Sequence, residues 1–380
     1  MRTIYLDHNA TTPLDPSIRE LLVSTFDDHW GNPSSIHHVG QRARSLLDDA
    51  RERIASVFSC RPSELIFTSG ATESANLAVF GAARALRDKG KHIITSAIEH
   101  HAVLHPCEYL ANSEGFDLTI LPVDSKGRVS VESLVSSFRD DTVLVSIMAA
   151  NNEIGTIQPV AELGSICRER GVIFHTDAVQ WFGKLPFSNI SDFNADLVSL
   201  CPHKFYGPKG AGLLYSRSPF NPSPFIFGGA HENERRAGTE NLPALLGMAT
   251  AIELFVKTPV FSLSSISPLT EQLISSLDSL NESIFLGDRD SSGRLFNTAS
   301  FAFPGHDSIS LLSSLDLDGI CASGGSACSS GSVTPSHVVS ALFPDSDISR
   351  SLVRFSLGNC SSFDDISSTI SSISSHFCPS

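Results

Sequence analysis

The sequence predicts an α/β fold, with a large domain on a mostly parallel mixed sheet and a smaller α+β domain beside it. Three observations carry that prediction. Short β-rich runs alternate with helical patterns from about residue 60 to 216. Several of these runs are continuously apolar, without the polar alternation of a sheet wetted on one face, so both faces are expected to be covered. Composition then changes near Lys257, after which Ser-rich stretches at 262–267 and 361–375 sit among helical and strand-like patterns. A chain of 380 residues is long enough for two cores at roughly 100–200 residues each. The expected division is 13–256 for the large domain, with 1–12 and 257–380 forming the small one.

In chain order, a helix is expected at 41–58, where Ala43, Leu46, Leu47, Ala50, Ile54, Val57 and Phe58 recur at helical spacing and Arg and Asp fill the other face. Strands are expected at 65–68, 92–96, 118–121, 142–148, 172–175, 196–200 and 212–215. Helices are expected at 75–89 and at 160–170, the latter stopped by Gly171. Near the C-terminus, Ile366, Ile370, Ile373 and Phe377 have helical spacing; a flexible tail is the alternative, because serine is a mediocre helix former.

Hydrophobic residues are 41% of the chain and charged residues 18%, a globular composition. A net charge of −14 argues against nucleic acid as a partner, since phosphate backbones select positive surfaces. The N-terminus has no signal-type apolar core, and no stretch approaches the ~20 apolar residues of a membrane span, so the expected compartment is the cytoplasm. The 8 cysteines include no C-x-x-C pair, which fits neither a disulfide framework nor a cysteine-based zinc site.

Three segments carry candidate chemistry. Gly70 to Ser74 lies between an expected strand and helix, where free N–H groups and the helix dipole can cradle a phosphate, although such turns are common in any α/β fold. Asp177 ends an apolar strand at the sheet edge where ligands bind; it would either pair with a protonated heterocycle or cap the next helix. Lys204 follows another strand beside His203, and is either a Schiff-base nucleophile of lowered pKa or a surface loop lysine. In that order, a phosphate turn, an Asp and a Lys are the three parts that pyridoxal phosphate needs. His100 could be a core histidine or, with His101 and His105, part of a metal patch, but no acidic partner completes a metal motif. Cys328 lies in a Ser/Gly-rich loop with almost no apolar anchor, expected to be mobile, which suits a travelling thiol as well as a plain linker.

The chain closely resembles the NifS/IscS-type cysteine desulfurases, within the fold-type I pyridoxal-phosphate enzymes. The likeness runs through 5–13 (Tyr-Leu-Asp-His-Asn-Ala-Thr-Thr-Pro), 31–35, 68–74, 98–100, 151–155, 177–180, 203–210, 236–241, 326–328 and 354–358. It implies pyridoxal 5'-phosphate as cofactor and L-cysteine as substrate, cleaved to L-alanine with the sulfur held as a persulfide on Cys328. It also implies Lys204 as the lysine holding the cofactor, Asp177 on the ring nitrogen and Gln180 on the ring hydroxyl. Ala71, Thr72, His203 and position 201 would contact the phosphate, as would Thr239 from the other subunit of a homodimer. Asn152 would lie near ring and substrate, His100 would stack on the ring and shuttle protons, and Arg354 would grip the substrate carboxylate. No resident metal is implied, although Cys328 could transiently ligate an iron–sulfur cluster.

The pattern departs in two places. Cys201, followed by Pro202, stands where the family usually has a phosphate-binding serine, and a thiol is the weaker donor. The chain stops at Ser380, without the longer tail that IscS-type members use in scaffold docking. A sulfur-acceptor or iron–sulfur scaffold protein is expected as partner, its identity open.

Overall fold

A computed structural model describes residues 2–280, 283–325, 335–344 and 347–377. In chain order the strands are β1 (Ile4–Tyr5), β2 (Leu65–Thr68), β3 (His92–Ser96), β4 (Asp117–Leu121), β5 (Thr142–Ser146), β6 (Ile173–Asp177), β7 (Leu197–Leu200), β8 (Gly212–Ser216), β9 (Ile284–Phe285), β10 (Thr298–Ala302), β11 (Ile320–Cys321) and β12 (Leu352–Ser356). The seven strands expected from the sequence form one sheet, in the order β2-β8-β7-β6-β5-β3-β4. Neighbours from β4 through β7 are parallel, while β8 runs antiparallel to both β7 and β2.

Side chains alternate across a strand, so each apolar run feeds two cores. Ile66, Ile93, Leu144, Leu197 and Leu214 pack with Ala78, Val103 and Cys107 from the helices Ala71–Ala85 and His101–Ser113. Their neighbours Phe67, Ile94, Val145, Val198 and Leu213 join Leu47, Ile54 and Phe58 of the helix His38–Phe58, and Leu163 of Val160–Glu169. Phe58 stacks on Phe182 with ring centres 5.5 Å apart. Gly171 stops the helix Val160–Glu169 as expected, in the left-handed region at φ +68°.

The helix expected at 75–89 instead spans Ala71–Ala85. Its polar start reads as loop in the sequence, but these side chains tie down the first turn. Glu73 accepts from the Ser69 N–H at 2.9 Å, and the Ser74 hydroxyl meets Thr68 Oγ1 at 2.7 Å. The predicted phosphate turn is therefore the first turn of the helix.

In the C-terminal part, β10 lies between β12 and β9 in an antiparallel sheet. β1 returns from the N-terminus to pair with β11, and Asp7 bridges to Ser356. The Ser-rich end is the helix Phe363–Phe377, not a loose tail. Ile366 and Ile373 are buried, and serines on the wet side bond back to the helix, as Ser371 does to the Ser367 carbonyl at 2.9 Å.

Candidate active site

A cavity of about 490 Å³ opens where the ends of β6 and β7 meet the start of the helix Ala71–Ala85. Asp177, the last residue of β6, lines it, as do His203 and Lys204 in the turn after β7. Ala71 and Thr72 enter from the helix start, His100 from beyond β3, and Arg354 from β12. Gln180 and Asn152 complete the predicted residues that the fold gathers here.

Lys204 Nζ donates to the Asn9 and Ala10 carbonyls, both at 2.8 Å. Burial lowers its pKa, and the Arg354 charge works in the same direction. Burial also pushes the Asp177 carboxyl up to about 6, against a bond to Oδ1 from the Val179 N–H at 3.0 Å. A largely buried amine and a buried carboxylate thus share one cavity.

His100 caps the helix His101–Ser113 through Nδ1, which accepts from the Ala102 N–H at 3.1 Å. That bond places the proton of the neutral ring on Nε2. Burial, then the charge of Lys204, pushes its pKa down to about 4, so the ring is neutral at pH 7. His203 is likewise held at about 4 by burial. Arg354 is almost fully buried; Nη1 donates to the Asn152 carbonyl at 2.8 Å and Nη2 to Asp7 Oδ1 at 2.6 Å. Its Nε has no partner among the described residues.

At the helix start Gly70 provides no side-chain cap, and a Cβ built there would meet nothing within 4 Å. Of the first-turn N–H groups, that of Ala71 is taken by the Cys201 sulfur, which leaves those that follow it as donors suited to an anion. Cys201 is fully buried beneath this turn, does not line the cavity, and takes backbone hydrogen bonds from Ala71 and His203. Burial pushes its thiol up to about 12, which keeps it protonated. Thr239 is exposed and lies away from the cavity. Cys328 falls outside the described residues; Gly325, three positions before it, lines the cavity.

The rings of His101 and His105 stack 4.6 Å apart, and His337 lies 4.6 Å from His101. Among the described residues no group of three or more His, Cys, Asp or Glu is placed to hold a metal. Sequence reasoning missed two residues of the site. Asn9 bonds Lys204, Gln180 and Lys184, and Lys184 is itself buried behind Gln180. The available signal was a lysine four positions after Gln180 and flanked by apolar residues.

The family model for class-V aminotransferases matches residues 4–368. A cysteine desulfurase IscS from Dictyoglomus turgidum is 45% identical, over 97% of this chain and 93% of that protein. The chain belongs to the class-V aminotransferases, as a cysteine desulfurase of the NifS/IscS type. Among solved structures, a NifS-like protein matches this desulfurase with TM-score 0.90 and 36% identity, covering 98% of each chain. Another, described as SspA in complex with cysteine, matches with TM-score 0.79 and 34% identity, covering 94% of this chain and 99% of that one.

Proposed function

We propose that this chain takes sulfur from L-cysteine with the help of pyridoxal 5'-phosphate, releasing L-alanine and leaving a persulfide on Cys328. The observation that carries the reading is the shared cavity of Lys204, Asp177 and the uncapped helix start. Its donor set fits the cofactor. Among the described residues Lys204 Nζ bonds only to carbonyls, the buried Asp177 suits a cationic ring N–H, and the first helical turn offers Thr72 to a phosphate.

When bound, the cofactor supplies an electron sink conjugated to the substrate's α-carbon. Lys204 Nζ would hold it, and its lowered pKa would leave the free amine able to accept the substrate's α-proton. Asp177 keeps the ring nitrogen protonated, while Ala71, Thr72, His203 and the partner subunit's Thr239 hold the phosphate. Arg354 and Asn152 receive the substrate carboxylate. His100, in the cavity wall with Nδ1 taken by the Ala102 N–H, would lie against the ring and hold or pass a proton at Nε2. The Cys328 thiolate attacks the substrate sulfur: an S–S bond forms, the C–S bond breaks with its electron pair on carbon, and protonation there gives alanine.

The same reading assigns 13–256 to a cofactor-binding domain, and 1–12 with 257–380 to a small domain. It also makes the protein a homodimer, which exposed Phe26, Trp30, Ile36 and Phe227 support as apolar surface for a second copy. We place the protein in the cytoplasm, feeding sulfur to an acceptor or iron–sulfur scaffold; no helix among the described residues is long and apolar enough to cross a membrane. Lys204→Ala should lose the visible absorbance of the bound cofactor. Cys328→Ala should keep that absorbance but release no alanine from cysteine, and normal turnover by this variant would overturn the proposal.

A further inference from the structure

Lys184 is a buried lysine that the reaction as described does not use. Its side chain is 1% exposed, and no carboxylate pairs with it among the described residues. Nζ donates to Asn9 Oδ1 at 2.7 Å and to Gln180 Oε1 at 2.5 Å, and sits 5.4 Å from the centre of the Phe261 ring. Burial, with the nearby charges of Lys204 and Arg354, lowers its pKa. The ammonium carries three N–H groups and the neutral amine two, so both bonds survive in either state.

These bonds fix the polarity of Gln180. The two ends of a Gln amide are ordinarily interchangeable. Here one end faces a lysine Nζ that donates to it, so that end is the oxygen. The other end faces the Asn9 carbonyl at 3.0 Å, which only accepts, so that end is the nitrogen. Gln180 lines the cavity, and its remaining amide hydrogen is the group it can present to a ligand. A flipped amide would put its carbonyl against an electron-rich oxygen.

We infer that Lys184 is a positioning residue for the desulfurase reaction: it locks the Gln180 amide so that an N–H, not a carbonyl, meets the ring oxygen of pyridoxal phosphate. This rests on the cofactor reading above. A hydrogen bond donated to that oxygen withdraws charge from it. The oxygen would then attract less strongly the proton held on Lys204 Nζ where that nitrogen is joined to the cofactor, and that proton would leave at lower pH.

The test is the pH titration of the cofactor's visible band in purified holoenzyme, for wild type, Lys184→Met, Gln180→Leu and the double variant. Losing or misaiming one hydrogen bond should raise the midpoint by about 0.5–1 pH unit. Lys184→Met and Gln180→Leu should each show that rise, and the double variant should match Gln180→Leu alone. A Lys184→Met protein with a lower melting temperature but an unmoved midpoint, or additive shifts in the double variant, would overturn the inference. If Lys184→Met does not fold, Gln180→Glu carries the test. Without the amide N–H the midpoint should rise as in Gln180→Leu, while the melting temperature is set by the carboxylate oxygen placed against the Asn9 carbonyl as well as by the pairing with Lys184; an unmoved midpoint would overturn the inference. Wild type with no visible band would instead sink the cofactor reading itself.

Discussion

Replacing Asp177 with Asn should stabilise the cofactor-free protein at neutral pH while weakening its hold on the cofactor. Burial raises this carboxyl to about 6 in the folded state, against about 3.9 in an unfolded chain. Between those values the folded protein binds more protons than the unfolded one, so stability falls as pH rises through the window, and the loss is complete above about pH 7. A shift of about two units at 1.36 kcal/mol each amounts to ~3 kcal/mol. Asn removes the charge but keeps an oxygen for the Val179 N–H. For 380 residues, an unfolding entropy of about 2.1 cal/mol/K per residue totals ~0.8 kcal/mol/K, so the melting temperature should rise by roughly 4 °C. Melting curves of the cofactor-free proteins at pH 8 and pH 4 measure this. The gain should appear at pH 8 and vanish at pH 4, where the native carboxyl is neutral. An unchanged or lower melting temperature at pH 8, or an equal gain at pH 4, would refute the reasoning. With cofactor present the order should reverse, because the partner of the ring nitrogen is gone.

Three further outcomes are expected. Arg354→Lys should raise KM for L-cysteine about tenfold with a smaller effect on kcat, since a point charge replaces a planar fork; an unaltered KM in steady-state assays would argue against a carboxylate contact. Gly212→Ala would place a Cβ 2.5 Å from the Gly70 carbonyl carbon, pushing the helix start out of position. Cofactor affinity by absorbance titration should fall by about tenfold, the equivalent of one lost hydrogen bond to a charged group. Cys201→Ser should not weaken cofactor binding, because a hydroxyl can also accept from Ala71 and His203; a marked loss of affinity would assign the thiol a role of its own.

The large sheet was legible because its strands are uninterrupted aliphatic runs. The strand expected at 172–175 stopped short of its true end, since Thr176 and Asp177 look like an exit from the core. The strand runs on because backbone pairing continues through Thr176 and Asp177 to β7, and the His175 ring is satisfied across strands. His175 meets Ser146 Oγ at 2.7 Å and Ser199 Oγ at 2.9 Å, and burial pushes the ring down to about 3, so it stays neutral. β1, β9 and β11 are two residues long, too short for any period to show. Within the site, Lys204, Asp177 and Gly70 announce themselves by following strands. Asn9 and Lys184 do not, because their partnership spans 175 positions and exists only in the folded chain.

The wall of the pocket ties residues 7–9 to residues far along the chain, between 298 and 356. Asn9 bonds Thr298 and Ser356, and Asp7 takes the guanidinium of Arg354. During synthesis the seven-stranded sheet can therefore form with Lys204 and Asp177 in place while the pocket is still unfinished. A pocket closed on this side therefore needs the chain to have been made at least as far as Arg354 and Ser356. A premature stop codon shortly before position 354 would thus leave a chain that retains its lysine and its aspartate yet stays colourless.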